Sequence, residues 1–308
     1  MTLQQLEYIV ALSKTKHFVN AAEMCGVTQP TLSMMIQKLE DELDVKIFDR
    51  TRHPIELTEI GKKIIDQAQA SLSQVNKIHE IVSAEKGDIS GNINIGIIPT
   101  VAPYLLPKFF SEIKEKYLEL SFKIIEMRTE SIEKQLLLGE LDMAILSTPL
   151  QNPNILEIPL YYEKFVAYVS SNEPLYKEME LVSNKLPVDQ LWVLEEGHCL
   201  RNQVFNFCDA KTKHPSIYEA GSIETLVKIV DENGGYTVIP ELHIDPLSDE
   251  QKKNLRKLVN PEPVREISLV IQQNFIREGQ LNAVADIIKK IIPHHMLDSR
   301  LKKFAIKI

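Results

Sequence analysis

The segment TQPTLSMMIQKLEDEL, residues 28–43, has the features of one amphipathic helix. The Thr28 hydroxyl can cap its N-terminus, and Pro30 is tolerated in a first turn. Apolar residues recur at helical spacing, at Leu32, Met35, Ile36, Leu39 and Leu43. The other face carries Gln29, Thr31, Ser33, Met34, Gln37 and Lys38. The segment therefore predicts a helix with one face for a core and one face for hydrogen bonding.

Two shorter segments whose apolar residues also recur at helical spacing precede this one. Residues 3–10 form the first and residues 18–25 the second, which Gly26 ends. Two short helices joined by a tight turn, with polar side chains at the start of the second, are typical of a helix-turn-helix that enters the major groove. Gln29 and Ser33 would then reach base edges. Periodicity alone fits a small helical bundle without DNA equally well.

Residues 48–57, FDRTRHPIEL, predict two short extended pieces around a basic tip, which suits a wing that holds phosphates. Residues 1–62 contain seven Lys or Arg and nine Asp or Glu, and the whole chain has a formal net charge of -8. This balance gives no general attraction to nucleic acid, so any DNA contact needs a local patch. The residues that offer such a patch are Lys38, Lys46, Arg50 and Arg52.

The chain has 308 residues, enough for two or three domains with separate cores. Its N-terminus lacks a basic flank followed by an apolar core, and no apolar run approaches the roughly 18 residues of a membrane span. Three cysteines without a secretory signal favour reduced thiols. We therefore expect a cytosolic protein without membrane association. No metal-ligand cluster or phosphate-binding glycine loop is recognisable, so no metal and no cofactor are expected.

Residues 58–86 contain no proline, and no glycine after Gly61. Heptad positions recur there at alternating three- and four-residue steps, at Ile65, Ala68, Leu72, Val75, His79 and Val82. This pattern predicts a long helix that pairs with the same helix of a second chain. Such a dimer would present two recognition helices to two half-sites. Residues 87–91, GDISG, predict a hinge.

From residue 92 onward, strand and helix patterns alternate. The predicted strands are 92–98, 122–127 and 142–147, and the predicted helices are 104–116 and 131–139. This β-α-β-α-β order predicts a parallel sheet with right-handed crossovers. Ligands of such sheets collect at the carboxyl ends of the strands, where Thr100 and Thr129 fall.

A second α/β unit follows the first. Its predicted elements are strands at 165–169 and 191–194, a helix at 222–231 and the segment 234–240. A further strand at 266–272 and a helix at 280–292 come after it. The basic tail from Pro293 onward is expected to be frayed or peripheral.

Two of the three cysteines lie in residues 195–208, EEGHCLRNQVFNFC. The glycine and histidine predict a turn, and the residues from Leu200 onward predict a helix, which places Cys199 at its positive end. His198 and Arg201 add neighbouring cations. Both influences lower the pKa of a thiol, so Cys199 is a candidate nucleophile.

The spacing of Cys199 and Cys208 restricts how they can pair. Nine helical residues separate their Cα atoms by about 13 Å, whereas a disulfide tolerates only about 7 Å. A bond between them would require the helix to unwind, which would make it a conformational switch. On spacing alone, two unrelated buried thiols remain the simpler interpretation.

Four motifs occur in the order and spacing of a known signature: TQPTLS at 28–33, LEDEL at 39–43, IFDR at 47–50 and LTEIG at 57–61. They resemble the winged helix-turn-helix of the LysR-type transcriptional regulators. The resemblance implies DNA contacts by Gln29, Pro30, Thr31, Ser33 and Arg50. The same helix face and wing tip add Met34, Gln37, Lys38 and Arg52, and Met34 departs from the family pattern.

The family resemblance implies an α/β architecture in three parts. An all-α winged helix-turn-helix (1–62) is followed by a linker helix with a hinge (63–90) and a two-lobed, periplasmic-binding-protein-like effector domain (91–308). Lobe I would cover about 91–162 and 267–308, and lobe II about 163–266, so that the chain crosses between the lobes twice. A homodimer or homotetramer on double-stranded promoter DNA, acting through RNA polymerase, is also implied.

Residues 197–201, GHCLR, together with Cys208 closely resemble the redox motif of the hydrogen-peroxide sensors of this family. The resemblance implies that peroxide oxidises Cys199 and that Cys208 resolves the product to a reversible disulfide, which cellular thiol reductants reset. The oxidised form would activate peroxide-defence genes. The residues implied to bind or activate peroxide are Thr100, Thr129, His198 and Arg201.

Two other classes of function stay open. A LysR-type regulator that answers to a small metabolite in the interlobe cleft would keep the fold and treat Cys199 as incidental. A thiol peroxidase would use the same thiol for turnover. Because a DNA-binding module argues against turnover as the purpose, we expect a regulator and not an enzyme.

Overall fold

The computed structural model describes residues 1–85, 90–117, 119–207 and 219–305. Cys208 and most of the predicted hinge lie outside these residues. The chain divides into two units, Met1–Gly87 with Leu137–Glu140, and Asp88–Leu136 with Leu141–Ile308. Among the described residues, no helix has the length and apolar character needed to cross a bilayer.

The N-terminal unit is the predicted winged helix-turn-helix. Its first elements are α1 (Leu3–Thr15), α2 (Phe18–Met24), α3 (Gln29–Leu43), β1 (Phe48–Asp49) and β2 (Glu56–Leu57). The Thr28 hydroxyl caps α3 by accepting from the Thr31 amide at 3.4 Å, as predicted. The inner face of α3 is fully buried at Leu32, Ile36 and Leu39, and β1 pairs antiparallel with β2 to form the wing.

The long helix α4 (Glu59–Glu85) follows the wing without a break. Ile65 and Ala68, the first two heptad positions, are only 4% and 3% exposed, because they pack into the core formed with α1, α2 and α3. Val82, the last position, is 53% exposed. The first part of the predicted seam therefore serves the chain's own core, and pairing of α4 with a second copy stays a prediction for the later part.

The second unit begins with the predicted β-α-β-α-β order. Its elements are β3 (Gly91–Ile97), α5 (Ala102–Lys116), β4 (Leu120–Glu126), α6 (Thr129–Leu138) and β5 (Met143–Thr148). Strand β3 lies between β4 and β5 and pairs parallel with both. The predicted parallel pairing of these three strands is therefore confirmed, and the alternating isoleucines of β3 are fully buried.

Two long strands carry the sheet from lobe I into lobe II. They are β6 (Ile155–Val169) and β10 (Val264–Gln272), which pair antiparallel, and β10 also pairs with β5. The remaining strands are β7 (Glu180–Val182), β8 (Tyr236–Pro240) and β9 (Leu255–Val259). The strands run in the order β4-β3-β5-β10-β6-β9-β7, with β8 on β6.

The first ten residues of β6 were not predicted as a strand from the sequence. Pro159 interrupts their pattern, and a proline inside a run argues against a central strand. In the structure Pro159 pairs with Ser268 beside a register shift between Ile267 and Ser268 of β10. Such an irregularity in the ladder accommodates a residue without a backbone N–H.

Lobe II and the C-terminus supply α7 (Cys199–Phe207), α8 (Ile223–Asn233), α9 (Asp249–Lys252) and α10 (Glu278–Ile291). The strand predicted at 191–194 is wrong. Leu191 and Leu194 each make one isolated bridge, to Tyr236 and to Ala220. Because these partners belong to different segments, no continuous ladder forms.

Residues 293–305, the part of the tail after α10 that the structure describes, pack against lobe I, which corrects the expectation of a frayed end. Two short 3₁₀ turns, His294–Leu297 and Ser299–Phe304, follow α10. Met296 in the first of these turns is buried in the core of lobe I, and Ala305 bridges to Val264 on β10. The apolar Met296 anchors a segment whose charge had suggested a free end.

Candidate functional site

Cys199 begins α7 in lobe II, and Thr129 begins α6 in lobe I. The Cys199 Sγ lies 2.7 Å from the Thr129 Oγ1, at hydrogen-bond distance with either atom as donor. Cys199 as a residue is 9% exposed. The N-termini of α6 and α7, which belong to different lobes, therefore meet at the Cys199 sulfur.

The environment of the thiol pulls its pKa in two directions. Burial raises the pKa of Cys199 above its usual 9.0, whereas the Thr129 hydrogen bond and the positive charge of Arg265 lower it. The burial effect is the larger. This outcome corrects the expectation of a lowered thiol pKa, which rested on the helix N-terminus and on the charges of His198 and Arg201.

Arg265 is the cation of this site, and the sequence analysis missed it. Its side chain is 1% exposed and pairs with the fully buried Glu163, Nη2 to Oε2 at 2.7 Å. Its Nη1 donates to the Thr100 hydroxyl and its Nη2 to the Thr100 carbonyl, both at 3.0 Å. Thr100, which follows β3, is thus fixed beside the same buried charge that acts on Cys199.

A signal for Arg265 was present in the sequence. Arg265 and Glu163 stand in strands rich in apolar residues, β10 and β6, and charged residues are buried in such strands only when they are paired. The two residues are direct partners in the ladder between these strands. Their pairing, however, is visible only in the tertiary structure. In the sequence, each residue by itself is typical of a solvated position on a strand.

His198 is buried as a neutral group. Burial lowers its pKa below 6.5, the Arg128 charge lowers it further, and Glu195 partly offsets this. Its Nε2 lies 3.7 Å from the Glu195 Oε1. The imidazole is therefore uncharged at pH 7, and it does not supply the positive charge predicted beside Cys199.

Arg201 of α7 contacts other residues of lobe II, on the segments before and after this helix. Its Nη1 forms an ion pair with the Glu219 Oε1 at 2.5 Å and donates to the Leu194 carbonyl at 3.3 Å. The guanidinium also lies over the Phe205 ring, 5.4 Å from its centroid. These contacts hold α7 within lobe II, and the positive charge that lowers the pKa of the Cys199 thiol is that of Arg265.

Helix α7 has a second contact with lobe I beyond Cys199. The fully buried Gln203 donates from Nε2 to the Ser147 hydroxyl of β5 at 3.0 Å. In the part of the chain that the structure describes, the Gln203 Oε1 has no hydrogen-bond partner. The predicted partner thiol, Cys208, lies outside the described residues, so its place relative to Cys199 stays a prediction.

The predicted DNA-binding residues lie along the outer side of α3 and the wing. Gln29, Pro30, Thr31, Met34, Gln37, Lys38, Arg50 and Arg52 are exposed, and Ser33 is half-buried. The buried Glu40 carboxylate accepts from the Ile47 and Phe48 amides at 2.8 and 3.2 Å and from the Arg50 Nη2 at 3.1 Å. Glu40 thereby ties the wing and Arg50 to α3.

A winged helix-turn-helix followed by a two-lobed α/β domain, with a buried thiol where the lobes meet, defines a sensory DNA-binding regulator. Two family models match this chain: the LysR substrate binding domain over residues 86–291, and the bacterial regulatory helix-turn-helix protein of the lysR family over residues 3–62. The chain belongs to the LysR family of transcriptional regulators.

Within this family, the chain resembles the OxyR members along nearly its whole length. It is 38% identical over 299 residues to the hydrogen peroxide-inducible genes activator of Haemophilus influenzae, covering 95% of this chain and 99% of that protein. It is 34% identical over 304 residues to the DNA-binding transcriptional dual regulator OxyR of Escherichia coli, covering 98% and 99%. A full-length OxyR variant from Pseudomonas aeruginosa superimposes with a TM-score of 0.78 at 33% identity, covering 94% and 98%.

Proposed function

We propose that this chain is a hydrogen-peroxide-responsive transcriptional regulator whose sensor is Cys199. The observation that carries the proposal is the 2.7 Å contact between the Cys199 sulfur and the Thr129 hydroxyl, beside the buried charge of Arg265. The similarity to peroxide-inducible activators supports the same conclusion. A thiol that is held by a hydroxyl, with a buried cation acting on it, is suited to a small polar oxidant.

The first step is a two-electron oxidation of the thiol. The Cys199 thiolate attacks one peroxide oxygen, so that a sulfur–oxygen bond forms and the oxygen–oxygen bond breaks. The leaving hydroxide takes up the proton that the thiol has released and becomes water. Thr129 and Thr100 would orient the peroxide through their hydroxyls, and Arg265 would stabilise the negative charge that develops on the leaving oxygen.

The second step joins Cys199 to Cys208. The Cys208 thiolate attacks the sulfenic sulfur of Cys199, so that a sulfur–sulfur bond forms and the sulfur–oxygen bond breaks. The leaving hydroxide takes up the proton that the Cys208 thiol has released and becomes water. Since an intact α7 would keep the two residues too far apart, the helix must unwind. Exchange with cellular thiol reductants would restore both thiols.

Unwinding of α7 is the link to DNA in this proposal. Its loss breaks the contacts of Thr129 with Cys199 and of Ser147 with Gln203, so lobe II repacks. In a homodimer or homotetramer this repacking would change the spacing of the recognition helices on promoter DNA, and RNA polymerase would respond to the changed complex.

The test is oxidation of the reduced, full-length chain by about one equivalent of hydrogen peroxide, followed by peptide mass spectrometry and DNA footprinting. We expect a Cys199–Cys208 peptide lighter by two hydrogens, together with an altered footprint. Cys199→Ser should abolish both changes. The matched control is Cys25→Ser, because Cys25 lies in the N-terminal unit and should leave both changes intact.

Two results would contradict the proposal. One is a Cys199 that stays a thiol in peroxide, and the other is an oxidised Cys199 with an unaltered footprint. A Cys199→Ser chain that still responds to an inducer in cells would instead support the regulator of the same family that answers to a small metabolite.

A further inference from the structure

Two adjacent residues of lobe I contact the first residue of α7 and the loop before it. Thr129 lies against Cys199, and Arg128 forms an ion pair with Glu195. The Arg128 side chain also passes directly over Gly197, where an added β-carbon would lie 2.8 Å from the Arg128 Cδ. The loop before Cys199 is therefore held by charge and by packing as well as by the thiol contact.

Each partner of this ion pair has its backbone fixed in its own lobe. The Arg128 carbonyl accepts from the Ile132 amide at 3.0 Å in the first turn of α6, and the Glu195 amide donates to the Ala220 carbonyl at 2.9 Å. Gly197 has a φ of +95°, which favours glycine, and its missing side chain lets Arg128 cross. The ion pair therefore ties lobe I to lobe II.

The ion pair between Arg128 and Glu195 is exposed to solvent. The Arg128 and Glu195 side chains are 48% and 41% exposed, so salt screens their attraction, and such a pair changes an equilibrium by a factor of about five or less. The buried pair of Arg265 and Glu163 is shielded from such screening, at 1% and 0% exposure. A weak, breakable tie is suited to a loop that moves during function.

This inference rests on the proposed function and concerns regulation of the same site. We propose that Arg128 is a positioning residue that acts through Glu195 to hold residues 195–198 on lobe I, and so keeps the Cys199 thiol buried against Thr129 until it is oxidised. Once oxidation disrupts the thiol contact, the exposed ion pair is a restraint that yields easily, and α7 can unwind.

The experiment measures how fast Cys199 is alkylated by iodoacetamide and oxidised by hydrogen peroxide in the reduced, full-length chain. Both reagents are uncharged, so salt acts only through the protein. Rates are compared at about 0.01 M and about 1 M salt, where the screening length is about 30 Å and 3 Å. Peptide mass spectrometry reports the Cys199 peptide separately from the other cysteines.

We expect Arg128→Gln and Glu195→Gln to alkylate Cys199 roughly two- to five-fold faster than the unchanged chain at low salt, and to be oxidised more slowly. The unchanged chain should approach these rates at high salt. Arg128→Lys should keep most of the effect of arginine, and the double variant should match the single ones, because both remove one interaction. Arg128→Gln is the more specific of the two variants, because Glu195 also faces His198.

The matched control is Lys164→Gln, which breaks a partly exposed ion pair with Glu262 inside lobe II and should leave both rates and their salt response unchanged. Unaltered alkylation in Arg128→Gln and Glu195→Gln, or an increase that is equal at both salt concentrations, would overturn the proposal. Circular dichroism identifies a variant that fails to fold, and the other variant then carries the test.

The two assays separate this inference from the proposed function. Alkylation does not use peroxide, so a Cys199 that alkylates as expected but resists peroxide would contradict the sensor and support the tie. Normal oxidation of the unchanged chain, with unchanged alkylation in both variants, would contradict the tie alone.

Discussion

The guanidinium of Arg265 donates to both oxygens of Thr100, with each nitrogen–oxygen distance at 3.0 Å. The same guanidinium pairs with Glu163 on the neighbouring strand. Thr100 therefore has its hydroxyl oriented by a residue that is itself held by a buried carboxylate. The charge of this residue also acts on Cys199, whose sulfur meets the Thr129 hydroxyl.

Replacing Thr129 by valine removes the hydroxyl at Cys199 and keeps the shape of the side chain. Because a hydrogen bond to an ionised group contributes more than a neutral one, oxidation of Cys199 by hydrogen peroxide should slow by about tenfold. Stopped-flow kinetics with a quenched thiol assay measures the rate. Thr15→Val in α1 is the control, and equal rates for both variants would rule out a role for the Thr129 hydroxyl.

Replacing Arg265 by methionine leaves the Glu163 carboxylate buried without its cation. The free energy of unfolding of the second unit should fall by about 3 kcal/mol or more. Adding Glu163→Gln should recover over half of this loss, because the neutral side-chain amide would still accept from the Leu242 amide, as Glu163 does at 2.8 Å. Urea titration provides the measurement.

The control for this prediction is Lys164→Gln, one residue along β6. It breaks the pair with Glu262, whose side chain is 25% exposed, and should cost at most about 1 kcal/mol. If Arg265→Met lowers the free energy of unfolding by no more than Lys164→Gln does, the buried pair does not hold β6 and β10 together.

Acidification should destabilise the second unit through His198. Burial first, and then Arg128, lower its pKa below 6.5, so below that pH the unfolded chain binds a proton that the folded chain does not. Stability is therefore fully present above about pH 6.5 and is lost as the pH falls towards the folded pKa. His198→Gln should lose less stability than the unchanged chain between about pH 7 and pH 5.

Urea midpoints across this pH range make the comparison. His243 also has its pKa lowered by burial, but it is present in both proteins, so the difference between them reports His198. Parallel pH curves for the two proteins would mean that His198 is not held neutral by the fold.

Replacing Arg50 by alanine should weaken binding to duplex DNA of any sequence. Arg50 is tied to Glu40 and lies over the Phe18 ring, 5.4 Å from its centroid, so an ordered guanidinium is available for a phosphate. The slope of log affinity against log salt should become shallower by about 0.9, the value for one lost phosphate contact. Fluorescence anisotropy with random-sequence duplexes measures it.

The control for Arg50→Ala is Lys257→Ala on β9 of the second unit, which removes the same charge from the chain. It should leave the slope unchanged. An equal change of slope in both variants would show that net charge, and not a contact of Arg50, is responsible.

The order of the elements could be predicted from the sequence because the patterns that encode it are local. The cap at Thr28, the apolar stripe of α3 and the alternating isoleucines of β3 each determine their element within a few residues. Strand ends are local as well, so Thr100 and Thr129 could be placed at one edge of the sheet.

The sequence also marked Cys199, since a thiol that begins a helix next to a turn is recognisable from its neighbours. The same reasoning from neighbours misjudged its charge environment. His198 is adjacent in sequence but is kept neutral by burial, and Arg201 is two residues away but pairs with Glu219.

Only the tertiary structure decided which charge reaches the thiol. Arg265 acts on Cys199 because β10 carries the chain back between the lobes and pairs with β6 opposite Glu163. Burial and Coulomb interactions depend on distance in space, and amphipathic periodicity depends on distance along the chain. The helices and strands could therefore be predicted from the sequence, whereas the electrostatics of the site could not.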